Sequence, residues 1–247
     1  MAADAKVERL IAGHFTSPAG IWRKGDDLET RARFPVPVYV IEVAGERILV
    51  DTGLNPGAAA DAAAHYGAGD SLGMFEMEQE ASVADQVELS TITRVVITHL
   101  HFDHAGGLDL LPDSVPIVIQ RREWEAGQDP DAVARNFFQP LDYRDVADRV
   151  ELVDGDHDLL GDGSVELLLT PGHTPGHQSV RVGERLIIGG DVAHYASVLD
   201  DHRFPVFAAS HDDQGKSADR LKEIRDAGAN VTPGHDPDVV TPGPLEA

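Results

Sequence analysis

The stretch Thr98-His99-Leu100-His101-Phe102-Asp103-His104-Ala105-Gly106-Gly107 places three histidines and an aspartate within six residues, directly after the apolar run Val95-Val96-Ile97. A lone histidine is usually a core or surface residue. Four polar side chains buried together at the end of a strand need something to pair them. A cation meets that need: neutral imidazole and carboxylate suit a borderline ion such as Zn²⁺, and an all-nitrogen, all-oxygen donor set is typical of hydrolytic sites. In an extended segment His99 and His101 point to the same side and can share one ion. Asp103 and His104, on the following turn, face a second. Gly106 and Gly107 let the backbone pass close by.

Four donors cannot fill two sites, so more are expected at other strand ends. Three segments repeat one device, an apolar run, a turn of small residues and then a ligand-type side chain. They are Leu167-Leu168-Leu169-Thr170-Pro171-Gly172-His173, Leu186-Ile187-Ile188-Gly189-Gly190-Asp191 and Asn230-Val231-Thr232-Pro233-Gly234-His235-Asp236. His173, Asp191 and His235 thereby join the candidate set. His177, after a Pro-Gly turn, is expected to support a ligand rather than be one, since ligating imidazoles need hydrogen-bonded neighbours. Asp51, closing a strand in Asp51-Thr52-Gly53, is weighed equally as support for a ligand histidine or as a bystander. His14, His65, His157, His202 and His211 read as surface residues.

The elements that must position these residues follow from periodicity. Strands are expected over 36–43 and 47–51, joined by Ala44-Gly45-Glu46, then over 94–98, 115–120, 150–153, 165–170, 178–182 and 185–189. Helices are expected over 57–65, 82–89 (with Ser82 as its cap), 122–128 and 213–227, and a loop over 67–73. Residues 137–149 show no clean period and are left unassigned. Strands in blocks, with helices between and after them, suit two sheets sandwiched by helices better than an alternating barrel. No linker or repeat is visible, so residues 1–247 read as one domain of ordinary size for a layered α/β fold.

Composition narrows the chemistry further. There is no cysteine, which removes disulfides, thiolate nucleophiles and sulfur-ligated metals together. The 43 acidic and 20 basic side chains leave a formal charge of -23, which repels phosphate backbones and excludes nucleic acid as a partner. We read that charge as a solvated acidic surface rather than as salt adaptation. No apolar run is long enough to span a bilayer. The start Met1-Ala2-Ala3-Asp4-Ala5-Lys6 lacks the pattern of a signal peptide, so a cytoplasmic protein is expected, with no membrane partner.

The string from His99 to His104, followed by His173, Asp191 and His235, resembles the metallo-β-lactamase superfamily from Asp51-Thr52-Gly53 to Gly234-His235-Asp236. The resemblance implies an αββα sandwich with two metal ions at one edge. His99, His101 and His173 would hold one ion, Asp103, His104 and His235 the other, and Asp191 would bridge them. Within the superfamily the segments 99–107, 173–179 and 234–236 are most similar to the N-acyl-homoserine lactonases, the quorum-quenching enzymes that open the lactone ring of bacterial signals. That likeness implies attack on the lactone carbonyl by a metal-bridging hydroxide. Asp103 would carry the proton to the departing alkoxide. Those lactonases usually carry a tyrosine three residues after the bridging aspartate, where it touches the substrate carbonyl. Here His194 stands at that position and Tyr195 follows. Either His194 takes the role, or the loop shifts and Tyr195 reaches in, or the substrate differs.

Relatives of other activity are thinned by the same residues. Class B β-lactamases mostly use a cysteine ligand, glyoxalase II-type enzymes add a helical domain after the last histidine, and nuclease members need basic surfaces. Aryl esterases and phosphotriesterases of the same fold stay as the alternative. A non-catalytic binding module would have lost ligands, and every ligand position is filled. The expected partner is a small ester or lactone, and a homodimer is compatible with the chain. Phe102, Phe137, Phe138, Phe204 and Phe207 are weighed as an acyl-chain pocket against the plainer reading of core aromatics.

Overall fold

The computed structural model describes residues 5–67 and 72–247. The first four residues, read as lacking a leader, and positions 68–71 of the loop expected over 67–73 lie outside the described residues.

One sheet contains β1 (Lys6–Pro18), β2 (Arg31–Val43), β3 (Glu46–Val50), β4 (Glu76–Glu78), β5 (Arg94–Val96), β6 (Ile117–Gln120), β7 (Val150–Val153) and, at its far edge, β13 (Gly243–Leu245), ordered β13-β1-β2-β3-β5-β6-β7 with β4 on β1. The other contains β8 (His157–Asp158), β9 (Val165–Leu169), β10 (Gln178–Val182), β11 (Leu186–Ile188) and β12 (Asn230–Thr232), ordered β12-β11-β10-β9-β8. The sheets pack face to face through a mainly aliphatic layer that includes Ile41, Ile48, Val96, Val118, Leu167, Val180 and Ile188. The outer face of the first sheet is covered by a cluster that takes in Val83, Leu89, Trp124 and Val133 from short helical segments. The outer face of the second is covered by the helix His211–Asp226 through Ala218 and Leu221. Helix, sheet, sheet and helix layers give the expected αββα sandwich. No helix among the described residues is long and apolar enough to cross a membrane.

Strand direction explains why the candidate ligands meet. β10 runs antiparallel to both β9 and β11, and β12 is parallel to β11, so the ends of β9, β11 and β12 share one edge. The chain leaves those ends toward His173, Asp191 and His235. In the other sheet β3, β5 and β6 are parallel, and the end of β5 runs into His99.

The structure departs from the sequence expectation in several elements. β1 was not expected, and β2 begins at Arg31 rather than 36. Pro35 and Pro37 lie within β2 and pair with His14 and Ile11 across a bulge in β1, where a missing N–H is tolerated. The helix expected over 57–65 is two short ones, Pro56–Ala60 and Ala62–Tyr66. Asp61 between them is extended and accepts a hydrogen bond from Ala64 N, capping the second. Residues 137–149 hold 3-10 turns, Pro140–Asp142 and Arg144–Arg149, which carry no periodic signal.

Candidate metal centre

All seven candidate ligands are nearly or fully buried and gather at the edge between the sheets. One group brings together His99, His101, His173 and Asp191, and a second Asp103, His104 and His235. A third unites Asp191, His194 and His235. Asp191 lies between the first two. Its Oδ2 is 3.3 Å from His173 Nε2 and 3.8 Å from His99 Nε2, and its Oδ1 is 3.2 Å from His235 Nε2 and 3.5 Å from His104 Nε2.

Hydrogen bonds on the far side of four of the rings decide which nitrogen carries the proton. His101 Nε2 donates to Asn136 O at 2.8 Å, so its Nδ1 lone pair faces inward. His235 Nδ1 donates to Pro35 O at 2.8 Å, and His104 Nδ1 to Asp51 Oδ2 at 2.7 Å. Thr98 Oγ1 gives its proton to the same Asp51 oxygen at 2.8 Å, which leaves it to accept from His99 Nδ1 at 3.0 Å. Lone pairs then point at lone pairs. His101 Nδ1 is 3.0 Å from His99 Nε2, and His104 Nε2 is 3.3 Å from His235 Nε2. His173 Nε2 also lies 3.0 Å from His101 Nδ1. Asp191 Oδ1 has no hydrogen-bond partner. Close-packed acceptors without donors are what a cation resolves, so the residues fit two divalent ions.

Electrostatics agree for two histidines of the first group. Burial and the neighbouring imidazoles hold His99 and His101 well below the usual histidine range, in the neutral form a metal requires. Burial also pushes the Asp103 carboxyl up, against the pull of His104 and His235.

Asp51 is a support for the site. It anchors His104 and also accepts from Thr98 N at 2.7 Å, from a left-handed backbone with φ of 60°. Such strain is held where the surroundings over-determine it. His177 is buried, and burial next to His173 lowers it to about 3. Its Nε2 accepts the Asp191 N–H at 3.0 Å and its Nδ1 meets Thr170 Oγ1 at 3.0 Å, so it fixes the loop that carries Asp191. Gly190 in that loop has φ of 56°, and a Cβ there would sit 2.7 Å from His177 Nε2. Of the histidines expected at the surface, His157, His202 and His211 are exposed, while His14 and His65 are half-buried.

Of the three alternatives for the position three residues after Asp191, two turn on local geometry. His235 N donates to His194 O at 3.0 Å and Gly234 N to Ala193 O at 2.9 Å, which pins this segment along the following strand end. His194 is thereby turned inward, fully buried, with Nε2 3.0 Å from Asp191 Oδ2 and neither nitrogen in a well-formed hydrogen bond. Tyr195, the other candidate, packs against the aromatic cluster that holds Phe34 and Trp22. Its ring lies edge-on to Phe34 at 6.0 Å with Arg23 over it, and burial pushes its hydroxyl up to about 12.

A cavity of about 240 Å³ opens onto this cluster, with His101, Asp103 and Asp191 at its floor and otherwise apolar walls. Phe102, Phe137 and Phe207 line it as weighed from sequence. Phe138 belongs instead to the core beneath the first sheet and Phe204 to the core beside the helix His211–Asp226. Trp22, Leu72 and Phe75 also line it. Sequence offered no signal for these three, because they meet the cavity only through long-range packing on Phe15 and Phe34.

Residues 31–240 match the family described as the metallo-beta-lactamase superfamily. An N-acyl homoserine lactonase AttM from Azorhizobium caulinodans is 31% identical over 218 residues, 83% of this chain and 82% of that protein. A mutant AiiA of B. thuringiensis, solved with N-decanoyl-L-homoserine bound at the active site, superposes with a TM-score of 0.82 at 23% identity, covering 96% of this chain and 95% of that one. AidC, a dizinc quorum-quenching lactonase in complex with a product, superposes with a TM-score of 0.71 at 16% identity, covering 96% and 89%. Sequence match, strand order and a double nest of buried donors agree: this chain belongs to the metallo-beta-lactamase superfamily and is a metal-dependent hydrolase.

Proposed function

We propose that this chain opens the lactone ring of N-acyl-homoserine lactones, and that its seven buried donors hold two zinc ions for the purpose. The observation that carries the reading is the joining of an apolar cavity to a floor of metal-type donors, which suits a ligand with a polar ring and an aliphatic tail. The AttM relative named as a lactonase and the dizinc AidC support the choice of substrate and metal.

Two divalent cations in such a site polarise a carbonyl and bring the pKa of water toward neutrality. The chain's own residues supply the rest. Asn136, Asp51 and Pro35 hold three imidazoles in the tautomer that aims a lone pair inward. To Asp103, at the cavity floor, we assign the transfer of the attacking water's proton to the alkoxide that leaves the ring. To His194, whose Nε2 lies 3.0 Å from Asp191 Oδ2, we assign donation toward charge that develops on the carbonyl oxygen. Trp22, Phe75 and Phe207 exclude bulk water and seat the acyl chain. Because the alkoxide stays tethered, one hydroxy acid is formed per lactone and water consumed.

A panel of N-acyl-homoserine lactone, aryl ester and phosphotriester tests the substrate class, with acid release followed in a pH-stat. The lactone is expected to turn over fastest. Aryl ester or phosphotriester hydrolysis a hundred times faster than every lactone tried would overturn the assignment and leave the esterase or phosphotriesterase alternative standing.

A further inference from the structure

The helix Arg121–Gln128 packs beside the cluster and contributes no candidate ligand, yet it buries a carboxylate completely. Glu123 has no exposed surface and no ion pair. Its Oε1 accepts from Leu100 N at 3.0 Å and its Oε2 from Gly176 N at 2.7 Å. Those two amides belong to different loops. Leu100 lies between His99 and His101, so the orientation of its peptide sets the direction of both imidazoles. Gly176 closes the turn His173-Thr174-Pro175-Gly176. The loop lies directly on the start of the helix, and a Cβ at Gly176 would come within 2.2 Å of Glu123 N.

From this juxtaposition we infer that Glu123 is a positioning residue for one metal site and not for the other. Its two oxygens tie together the loops that carry His99, His101 and His173, the three histidines of the first group. Its hydrogen bonds go to neither Asp103 nor His104 nor His235. The inference rests on the proposed division of donors between two ions. A buried carboxylate is costly unless its hydrogen bonds are made. Both are made here to backbone of the ligand loops, an arrangement expected to hold ligands that a metal draws together. The partner that supports the second group is Asp51, from the opposite side of the cluster.

Glu123→Gln tests the assignment. The amide keeps the shape but must turn an NH₂ toward one of the two N–H donors, so one loop is released. The variant and the parent protein, each loaded with two equivalents of zinc, are titrated with a chelator and the retained metal is measured by emission spectroscopy. The expected result is that one equivalent leaves the variant at roughly 10 to 100-fold lower chelator concentration, the range seen when a residue supporting a ligand is changed, while the other equivalent is unmoved. The metal-free forms should melt within a few degrees of each other. Release of both equivalents at parental concentrations would overturn the inference. So would equal weakening of both sites together with a large fall in metal-free melting temperature, which would mark a purely structural acid. Should Glu123→Gln fail to fold, Glu123→Asp keeps the charge but shortens the reach, and the same selective loss is expected in smaller degree. A parent protein that never holds two equivalents would instead refute the two-ion proposal itself, a result separable from either outcome in the variant.

Discussion

Asp191 presents its two carboxylate oxygens to different neighbours, Oδ2 toward His173 and His99 and Oδ1 toward His235 and His104. Asp191→Asn removes one of these anionic contacts and the shared charge. We expect it to weaken both metals in a chelator titration and to abolish hydrolysis, whereas Asp201→Asn, at a surface ion pair with Arg23, should leave turnover unchanged. Normal turnover in Asp191→Asn would show that another group bridges the ions. The next residues inward make the second test at this scale. An oxyanion donor in such a site is worth about 3 to 4 kcal/mol, or roughly 10² to 10³ in rate. His194→Ala is expected to lose most of that in kcat, while Tyr195→Phe stays near the parent. The reverse pattern would contradict the inward placement of residue 194.

At the scale of elements, the grouping of the seven candidate donors was legible in sequence because four come directly after one apolar strand and three follow an apolar strand and a small-residue turn. That signal is local, and β5, β9, β11 and β12 fall close to where periodicity places them. The first strand, Lys6–Pro18, was not read from sequence, and β2 was begun at 36 rather than Arg31; the bulge in β1 that faces Pro35 and Pro37 is a pairing feature no short window shows. Asp142 is another feature periodicity hides. It lies in the turn Pro140–Asp142 and accepts from Tyr66 Oη at 3.0 and 3.1 Å, linking that turn to the helix Ala62–Tyr66. Burial pushes its carboxyl up to about 8, with the Asp109 and Asp103 charges adding to the shift and Tyr66 opposing it. A folded pKa above the unfolded value of about 3.9 means the folded chain binds more protons between about pH 4 and 8. This residue's contribution therefore falls as pH rises through that window. Asp142→Asn should gain stability relative to the parent between pH 5 and pH 8, on the order of 1 to 3 kcal/mol. Urea denaturation at both values checks it, and an unchanged difference would show the acid is not held protonated.

For the whole molecule, the sandwich brings two sheets together so that strand ends far apart in sequence open on one edge. The cavity was only partly legible because its walls come from every part of the chain. Phe102 lies within the histidine string, but Trp22 and Phe75 reach the site through packing that no short window encodes. The charge of -23 argued against basic-surface activities yet said nothing of the apolar mouth within it. What joins these scales is the claim that two cations complete the buried acceptors and make the site a hydrolase. Its most direct test is to strip the protein with a chelator, return zinc in measured increments and follow N-acyl-homoserine lactone opening at each step. Activity is expected to be absent without metal and to level off at two equivalents per chain. Full activity in the stripped protein, or a plateau at one equivalent or fewer, would contradict the account.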